Sequence, residues 1–285
     1  MISAETFAKV NLGLRVGGRR DDGYHRIDGI FQSVAVADRV SLAASDEDAI
    51  AGVGGRPVAD DLANLAFRAA DAVRDRAGSG QRIALILDKS IPAAAGLAGG
   101  SADAAAALAI AGRFFGVKHD VLADIAPQIG SDVPFCLTGG TARVSGRGEI
   151  ITPMSPMTGF SLVIVVPPFE IATPAAFRTW DDLGEPIGLR FPQSALPPPL
   201  RSEGDLYNDL YPAAVVQAPE LDDWRADLEQ GWGRPVLLSG SGPSLFGFFV
   251  DSDEAAGAAA TVPTGARFAE SCDLVPVGWR ITDDS

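Results

Sequence analysis

A run of small residues between positions 91 and 105 has the composition of a phosphate-binding loop. It reads Ile-Pro-Ala-Ala-Ala-Gly-Leu-Ala-Gly-Gly-Ser-Ala-Asp-Ala-Ala and leads from a predicted strand into a predicted helix. Small residues let a ligand approach the backbone, and the first amides of a helix are unpaired and partly positive. The run has neither the Gly-Lys-Ser/Thr of a Walker A loop nor a GxGxxG pattern. A tight strand-to-helix turn without a ligand is the alternative.

Two other segments carry a carboxylate and an ammonium group in suggestive settings. Asp132 lies in Gly130-Ser-Asp-Val-Pro-Phe, where a fixed carboxylate could serve as a general base or simply cap a helix. Lys9 and Asn11 fall on the polar face of the first predicted strand. A lone lysine on a strand usually faces solvent, so both a surface role and a site role stay open.

A tyrosine–histidine pair and a glycine-rich turn complete the candidate set. Tyr24 and His25 follow Asp22-Gly23, and a histidine in such a place is most often structural or exposed. The later segment, residues 238–246, reads Leu-Ser-Gly-Ser-Gly-Pro-Ser-Leu-Phe between two predicted strands. A plain β-turn accounts for this segment as well as a ligand-binding loop does.

Charge and composition narrow the class of protein. The 285 residues carry a net charge of -14, which repels nucleic acid and anionic membranes at long range. A phosphate ligand must therefore be held by a local feature, such as a helix N-terminus. With two histidines and two cysteines, the chain offers neither a multi-histidine metal centre nor a disulfide framework.

The hydropathy pattern predicts a cytoplasmic protein without a membrane anchor. The longest apolar run, Ala104 to Ala111, is far shorter than the roughly 20 residues that span a bilayer. The first 16 residues alternate polar and apolar types and contain no continuous signal-peptide core.

Helix and strand signals alternate along the chain, which indicates a mixed α and β class. Helical spacing from Leu62 to Val73 predicts a helix, and Ser101 is expected to cap an alanine-rich helix that runs to about Phe114. The proline-rich segment 184–204 has little periodicity and is predicted to be a loop. Strands are predicted at 10–16, 27–36, 38–42, 83–87, 162–166, 236–238 and 245–250.

The order of these segments resembles the GHMP kinase superfamily. From the N-terminus the chain reads Lys-x-Asn, Asp-Gly-Tyr-His, Pro-x3-Gly-Leu-x-Gly-Gly-Ser, Gly-Ser-Asp-Val-Pro-Phe and Ser-Gly-Ser-Gly. The resemblance extends over residues 7–249. The glycine-rich loop is common to the superfamily, whereas the second and fourth segments are particular to members that phosphorylate a cytidyl substrate.

The resemblance implies a fold and a reaction. The fold is α+β with two domains, a ribosomal protein S5 domain 2-like domain over 1–152 and a ferredoxin-like domain over 153–285, and the site lies between them. The implied reaction transfers phosphate from ATP to the 2-hydroxyl of 4-diphosphocytidyl-2-C-methyl-D-erythritol, giving the 2-phosphate and ADP. This step belongs to the non-mevalonate route to isoprenoid precursors.

The resemblance also implies roles for residues on the substrate side. Asp132 would take the proton from the substrate hydroxyl, while Lys9 would keep Asp132 ionised and offset charge on the transferring phosphoryl group. Asn11 would contact the substrate beside them. The residues implied to hold cytidine are Tyr24, His25 and Phe177, with the two aromatic rings of Tyr24 and Phe177 stacked on either side of the base.

On the nucleotide side the resemblance implies an ATP site in the small-residue loop. Mg²⁺ would be held mostly by phosphate oxygens and water, without dedicated protein ligands. The implied ATP-binding residues are Asn64 and Lys89 near adenine, Gly96, Leu97, Gly99, Gly100 and Ser101 around the phosphates, and Pro92 in the same loop.

The loop departs from the family pattern at four positions. Alanines occupy positions 94, 95 and 98, where family loops usually carry glycine, and Ala102 replaces a serine. Because alanine disfavours positive φ, we expect a stiffer loop or an altered ATP affinity. The missing hydroxyl at position 102 removes one candidate contact to phosphate or Mg²⁺.

Two other functions compete with this interpretation. One is a GHMP kinase for homoserine or mevalonate, or the related diphosphomevalonate decarboxylase, and Tyr24, His25 and Phe177 argue against these small substrates. The other is a non-catalytic nucleotide-binding protein, which would not need both Lys9 and Asp132. For the implied kinase we expect a monomer or homodimer that binds the small-molecule substrate and neither nucleic acid nor membrane.

Overall fold

The computed structural model describes residues 1–54, 58 and 61–282. Thirteen strands occur in this part of the chain: β1 (Ile2–Arg19), β2 (His25–Ala44), β3 (Ala49–Val53), β4 (Ile83–Asp88), β5 (Thr141–Gly146), β6 (Ile150–Pro153), β7 (Ser161–Val166), β8 (Leu189–Phe191), β9 (Leu206–Asn208), β10 (Val236–Leu238), β11 (Leu245–Phe249), β12 (Phe268–Asp273) and β13 (Trp279–Ile281). The same residues form eight α-helices: α1 (Leu65–Arg76), α2 (Gly99–Phe115), α3 (His119–Ile129), α4 (Val133–Thr138), α5 (Thr173–Asp182), α6 (Tyr211–Gln217), α7 (Glu220–Trp232) and α8 (Ser252–Ala259).

The larger sheet is built on the long antiparallel hairpin of β1 and β2. Its strands follow the order β3-β4-β2-β1-β9-β8, while β5 and β6 extend from β2 and β13 pairs with β1. The strand predicted at 27–36 and its continuation at 38–42 form one strand, β2, paired with β1 through three register shifts. Strands β8, β9 and β13 come from the C-terminal half of the chain, so both halves contribute to this sheet.

The smaller sheet has the topology of the predicted ferredoxin-like domain. Its four antiparallel strands lie in the order β10-β11-β7-β12. Helices α5, α6 and α7 lie between β7 and β10 in sequence, and α8 lies between β11 and β12. The chain therefore follows a β-α-β-β-α-β path, and the predicted α+β class is confirmed.

From Thr6 to Leu14 strand β1 is buried on both faces, which the alternation of polar and apolar residues did not predict. Lys9 and Asn11 are 4% and 3% exposed, so the interpretation of Lys9 as a solvated surface residue is wrong. Helix α2 packs against β1, and the Thr6 hydroxyl donates to the carbonyl of Ala102 over 2.8 Å. The alanines of α2 allow this close approach because they add little side-chain volume.

Three local predictions need correction. Helix α2 begins at Gly99 after the left-handed Ala98, so Ser101 lies inside the first turn and does not cap it. Helix α1 begins at Leu65 because Asn64 caps it, which leaves Leu62 outside. The segment 184–204 is not wholly a loop, since it contains β8 and short 3-10 helices at 193–195 and 198–203.

The predicted domain boundary after residue 152 falls at the last residues of β6 and stays a prediction. Among the described helices, none is both long enough and apolar enough to cross a membrane.

Candidate active site

A cavity of about 900 Å³ gathers the predicted site residues from distant parts of the chain. Leu97 is the exception, because its side chain is buried in the core while its carbonyl accepts from the Lys9 amide. The predicted residues that line the cavity are Lys9, Asn11, Tyr24, His25, Asn64, Lys89, Pro92, Gly96, Gly99, Gly100, Ser101, Asp132 and Phe177.

The Lys9 ammonium group is held mainly by neutral acceptors. Its Nζ donates to Asn11 Oδ1 over 2.6 Å and to the carbonyl of Gly96 over 2.9 Å. The nearest carboxylate oxygen, Asp132 Oδ2, lies 3.7 Å away, beyond hydrogen-bond distance. These contacts orient the ammonium group of Lys9, and no carboxylate forms a direct hydrogen bond with it.

Asp132 precedes the short helix α4 and presents its carboxylate to the cavity. It occupies the N-cap position, as the helix-cap alternative predicts, but its side chain makes no capping hydrogen bond. Its side chain is 32% exposed, which leaves an oxygen accessible to a ligand. The nearby Cys136 is fully buried, and burial raises the pKa of its thiol well above the usual range.

The small-residue loop brings the open end of helix α2 to the cavity wall. The N-cap residue Ala98 supplies no side-chain hydrogen bond to the first turn, so the opening amides of α2 are not satisfied by a cap. Gly96 has φ +76, and a Cβ there would lie 2.5 Å from the carbonyl oxygen of Ser239. Glycine is therefore required at this crossing of two loops.

Two of the alanine substitutions adopt the conformation that we expected alanine to avoid. Ala94 and Ala98 have φ of 49° and 58°, in the left-handed region. An L-residue pays roughly 1–2 kcal/mol to lie there, so the expectation that alanine excludes positive φ from this loop is wrong. The loop keeps a glycine-like path at the cost of backbone strain.

The glycine-rich turn after β10 belongs to the site, although its sequence was equally compatible with a plain turn. Ser239 Oγ donates to the carbonyl of Gly96 over 3.1 Å and accepts from the Asn11 amide. The Asn208 side chain donates to the carbonyls of Leu238 and Gly240, which fixes the turn. The turn therefore braces the phosphate loop against β1.

Lys89 is clamped between two buried carboxylates. Its Nζ contacts Asp38 and lies 2.5 Å from Asp103 Oδ2, while Asp38 also accepts from the amides of Ser90 and Ile91. Burial lowers the pKa of Lys89, but the two carboxylates outweigh burial and raise it above the usual value. The lysine is on the cavity wall, and its charge is already matched by its neighbours.

Three side chains of helix α5 hold His25. The imidazole stacks on Phe177 at 5.0 Å between ring centroids, meets the edge of Trp180 and contacts Asp181 Oδ1 through Nε2 at 2.8 Å. Tyr24 is half-exposed, and the Arg147 guanidinium lies 4.9 Å from its ring centroid. In this conformation the imidazole lies against the Phe177 ring that we assigned to the base.

Sequence reasoning missed several residues of the site because their partners are distant in the chain. Asp38 lay in no motif, and Asp103 lay inside the small-residue run 91–105 without being singled out. Asp181 had no sequence signal beyond its place four residues after Phe177. The glycine-rich segment 238–246 contains Ser239 and could have indicated that this residue belongs to the site. Asn64, which we placed near adenine, lines the cavity and also caps α1 by accepting from the Ala66 amide.

Comparison with known proteins agrees with the geometry. The family model described as the GHMP kinases N terminal domain matches residues 64–140. A solved structure of a 4-(cytidine 5'-diphospho)-2C-methyl-D-erythritol kinase superposes with a TM-score of 0.77 at 31% identity, covering 95% of this chain and 98% of that one. A homoserine kinase from Cytophaga hutchinsonii, at 18% identity and a TM-score of 0.73, shares the fold.

Curated relatives extend this likeness over almost the full length. The 4-diphosphocytidyl-2-C-methyl-D-erythritol kinase of Nocardia farcinica is 39% identical, covering 97% of this chain and 94% of the relative. The enzyme of the same name from Moorella thermoacetica is 38% identical over 90% and 92%. Because the identity is high over nearly all of both chains, and the predicted site residues meet in one cavity, the chain belongs to the 4-diphosphocytidyl-2-C-methyl-D-erythritol kinase family of the GHMP kinases.

Proposed function

We propose that this protein transfers the γ-phosphoryl group of ATP to the 2-hydroxyl of 4-diphosphocytidyl-2-C-methyl-D-erythritol, giving the 2-phosphate and ADP. The observation that carries the proposal is the meeting of Lys9, Asp132 and the open end of α2 in one cavity. The family membership supports the cytidyl substrate over homoserine or mevalonate. Phosphoryl transfer asks mainly for positioning and charge neutralisation, which this arrangement supplies.

Asp132 is the proposed general base. Its carboxylate makes no hydrogen bond to the amides of α4, is partly exposed and lies at the start of that helix. It can therefore accept the proton of a bound hydroxyl. Lys9 stabilises the ionised carboxylate and offsets negative charge that develops on the transferring group. Asn11 and the Gly96 carbonyl orient the ammonium group through its hydrogen bonds.

The ATP phosphates are proposed to bind the amides at the start of α2. The fit rests on the absence of a side-chain cap at Ala98 and on the small residues that leave the backbone accessible. Gly99, Gly100 and Ser101 supply the first amides, and the helix dipole adds partial positive charge. Mg²⁺, carried with the phosphates, would neutralise their charge, and we assign it no dedicated protein ligand.

Tyr24, His25 and Phe177 are proposed to bind the cytosine base at the other end of the cavity. A separation of 5.0 Å between the nearly parallel rings of His25 and Phe177 is an offset stack, so the imidazole covers only part of Phe177. We propose that the base stacks on the rest of that ring face, edge to edge with the imidazole. A cytoplasmic location, and a monomer or homodimer that binds neither nucleic acid nor membrane, stay predictions from the sequence.

Release of ADP with three acceptors tests the activity. The cytidyl substrate should support turnover with ATP, while homoserine and mevalonate should not. Turnover with homoserine or mevalonate alone would favour another GHMP kinase, and binding of ATP without turnover of any acceptor would favour a non-catalytic protein.

Phe177→Ala tests the assignment of the two ends of the cavity. Base–aromatic stacking is worth about 1–3 kcal/mol, so KM for the cytidyl substrate should rise roughly 5- to 150-fold. KM for ATP should stay near the parent value. If only KM for ATP rises, the base and ATP bind at the opposite ends from those proposed. If neither KM changes, Phe177 serves only in packing.

A further inference from the structure

His25 is immobilised by one face of helix α5, although the two segments are more than 150 positions apart in sequence. Phe177, Trp180 and Asp181 are spaced at i, i+3 and i+4, which places them on the same side of the helix. They contact the imidazole by stacking, by a ring edge and by a hydrogen bond. The His25 side chain is only 8% exposed, so its ring has little freedom to rotate.

The contact with Asp181 determines which ring nitrogen of a neutral His25 carries the hydrogen. An ionised carboxylate only accepts hydrogen bonds, so Nε2–H must be the donor to Asp181 Oδ1. Nδ1 then holds a lone pair and acts as an acceptor. Within the part of the chain that the structure describes, Nδ1 has no hydrogen-bond partner, and His25 lines the cavity.

We propose that Asp181 is a positioning residue that sets the base selectivity of the site through His25. An imidazole nitrogen that can only accept a hydrogen bond favours a base edge that presents an amino group, as cytosine does. It disfavours a carbonyl at the same position, as in uracil, because two acceptors would face each other. The inference rests on the proposed function only for the identity of the base, since the tautomer follows from the His25–Asp181 contact itself.

We expect the site to bind CDP more tightly than UDP by a moderate to large factor. A site that hydrogen-bonds one edge rejects the analogue that leaves a buried polar group unpaired. Each such mismatch costs about 1–3 kcal/mol, which is roughly a 5- to 150-fold preference for CDP over UDP. Asp181 itself need not touch the base, because it acts by fixing the histidine.

Asp181→Asn tests the proposal with little change in shape. The new amide can donate to Nε2, which permits the opposite tautomer, in which Nδ1 carries the hydrogen. The ratio of Kd for UDP to Kd for CDP should fall at least about fivefold, while the affinity for ATP stays near the parent value. Asp182→Asn is the matched control, because Asp182 is the exposed neighbour with no described side-chain contact, and it should keep the parent ratio.

Nitrogen-15 NMR of the imidazoles reads the tautomer without any assay of activity. The chain has two histidines, so a His119→Gln background leaves the signals of His25 alone. At pH 8 we expect the Nε2–H tautomer in that background and the Nδ1–H form or a mixture after Asp181→Asn. Asp181→Glu, which retains the carboxylate, should restore both the tautomer and part of the CDP preference.

The possible outcomes separate this proposal from the proposed function. An Nδ1–H tautomer in the parent, equal affinities for CDP and UDP, or an equal loss of both in a folded Asp181→Asn would overturn the role of Asp181. A CDP preference that depends on Asp181, in a protein that transfers no phosphate to the cytidyl substrate, would support this inference and contradict only the proposed reaction.

Discussion

Lys9 and Lys89 are two lysines on the wall of the same cavity, and their surroundings leave them with different amounts of available charge. Lys89 lies against two carboxylates, Asp38 and Asp103, both almost fully buried. Lys9 makes its two hydrogen bonds to uncharged oxygens, and its one nearby carboxylate, Asp132, is partly exposed at 3.7 Å. The Lys89 ammonium group is thus already matched by carboxylates, whereas the Lys9 ammonium group keeps charge for a ligand.

The difference separates a structural lysine from a candidate catalytic one inside a single cavity. Unpaired buried charge is costly, so two carboxylates and one ammonium group stabilise one another and depend on one another. An ammonium group held by amide and carbonyl oxygens is oriented but remains attractive to phosphate. Four substitutions test this contrast, beginning with the one of largest expected effect.

Asp132→Asn is expected to lower kcat by about 10²–10⁴, because a positioned general base contributes that much to the rate. The amide keeps the shape of the side chain, so the fold and ATP binding should be nearly unchanged. Steady-state ADP release and ATP titration measure the two effects. A variant within threefold of the parent rate would contradict the assignment of Asp132 as the base.

Lys9→Ala is expected to slow the chemical step about 10²- to 10³-fold, since a preorganised charge at the transferring group is lost. Substrate binding should weaken less than the chemical step slows. Rapid-quench single turnovers measure the step directly, and Lys118→Ala, which changes the chain's third lysine away from the cavity, is the control. An unchanged single-turnover rate would show that Lys9 does not serve the reaction.

Lys89→Met is expected to act mainly on folding, lowering the free energy of unfolding by about 3 kcal/mol, because two buried carboxylates lose their counter-ion. Urea unfolding measures the loss. The double variant with Asp103→Asn should recover part of it, since one of the unpaired charges is then absent. A Lys89→Met protein of parent stability would mean that the clamp contributes little.

Asp103→Asn is expected to change the pH dependence of stability, a smaller effect than that of Lys89→Met. Burial raises the pKa of Asp103 to about 7, Lys89 opposes this rise and Asp38 adds to it. The folded state therefore binds more protons than the unfolded state from about pH 4 to pH 7. This contribution stabilises the protein at low pH and is lost as pH rises towards 7, with a slope of at most about 1.4 kcal/mol per pH unit.

Urea unfolding between pH 5 and pH 8 should show that slope in the parent and a flatter profile in Asp103→Asn. The exposed Asp124→Asn serves as the control and should keep the parent profile. If the free energy of unfolding depends on pH in the same way in all three proteins, Asp103 is not the group responsible for the slope.

The fold was predictable wherever a local pattern decided it. Alternation marked β4, a continuous apolar run marked β7, and alanine content marked the extent of α2 to within a residue at its C-terminal end. Alternation gave a wrong prediction at β1, where polar residues on the second face are buried. They hydrogen-bond to protein groups instead of to solvent. The local pattern also failed at the start of α2, where the left-handed Ala98 allows the helix to begin before Ser101.

The sequence by itself determined the order of the motifs, and this order was enough to indicate the family and a set of site residues of which all but Leu97 line the cavity. Only the tertiary structure decided what each charged group does. The carboxylates around Lys89, the neutral oxygens around Lys9 and the helix that holds His25 all come from segments far away in sequence. Electrostatic interactions depend on distance and burial in space, so the charge that a side chain has left for a ligand is fixed only when the chain has folded.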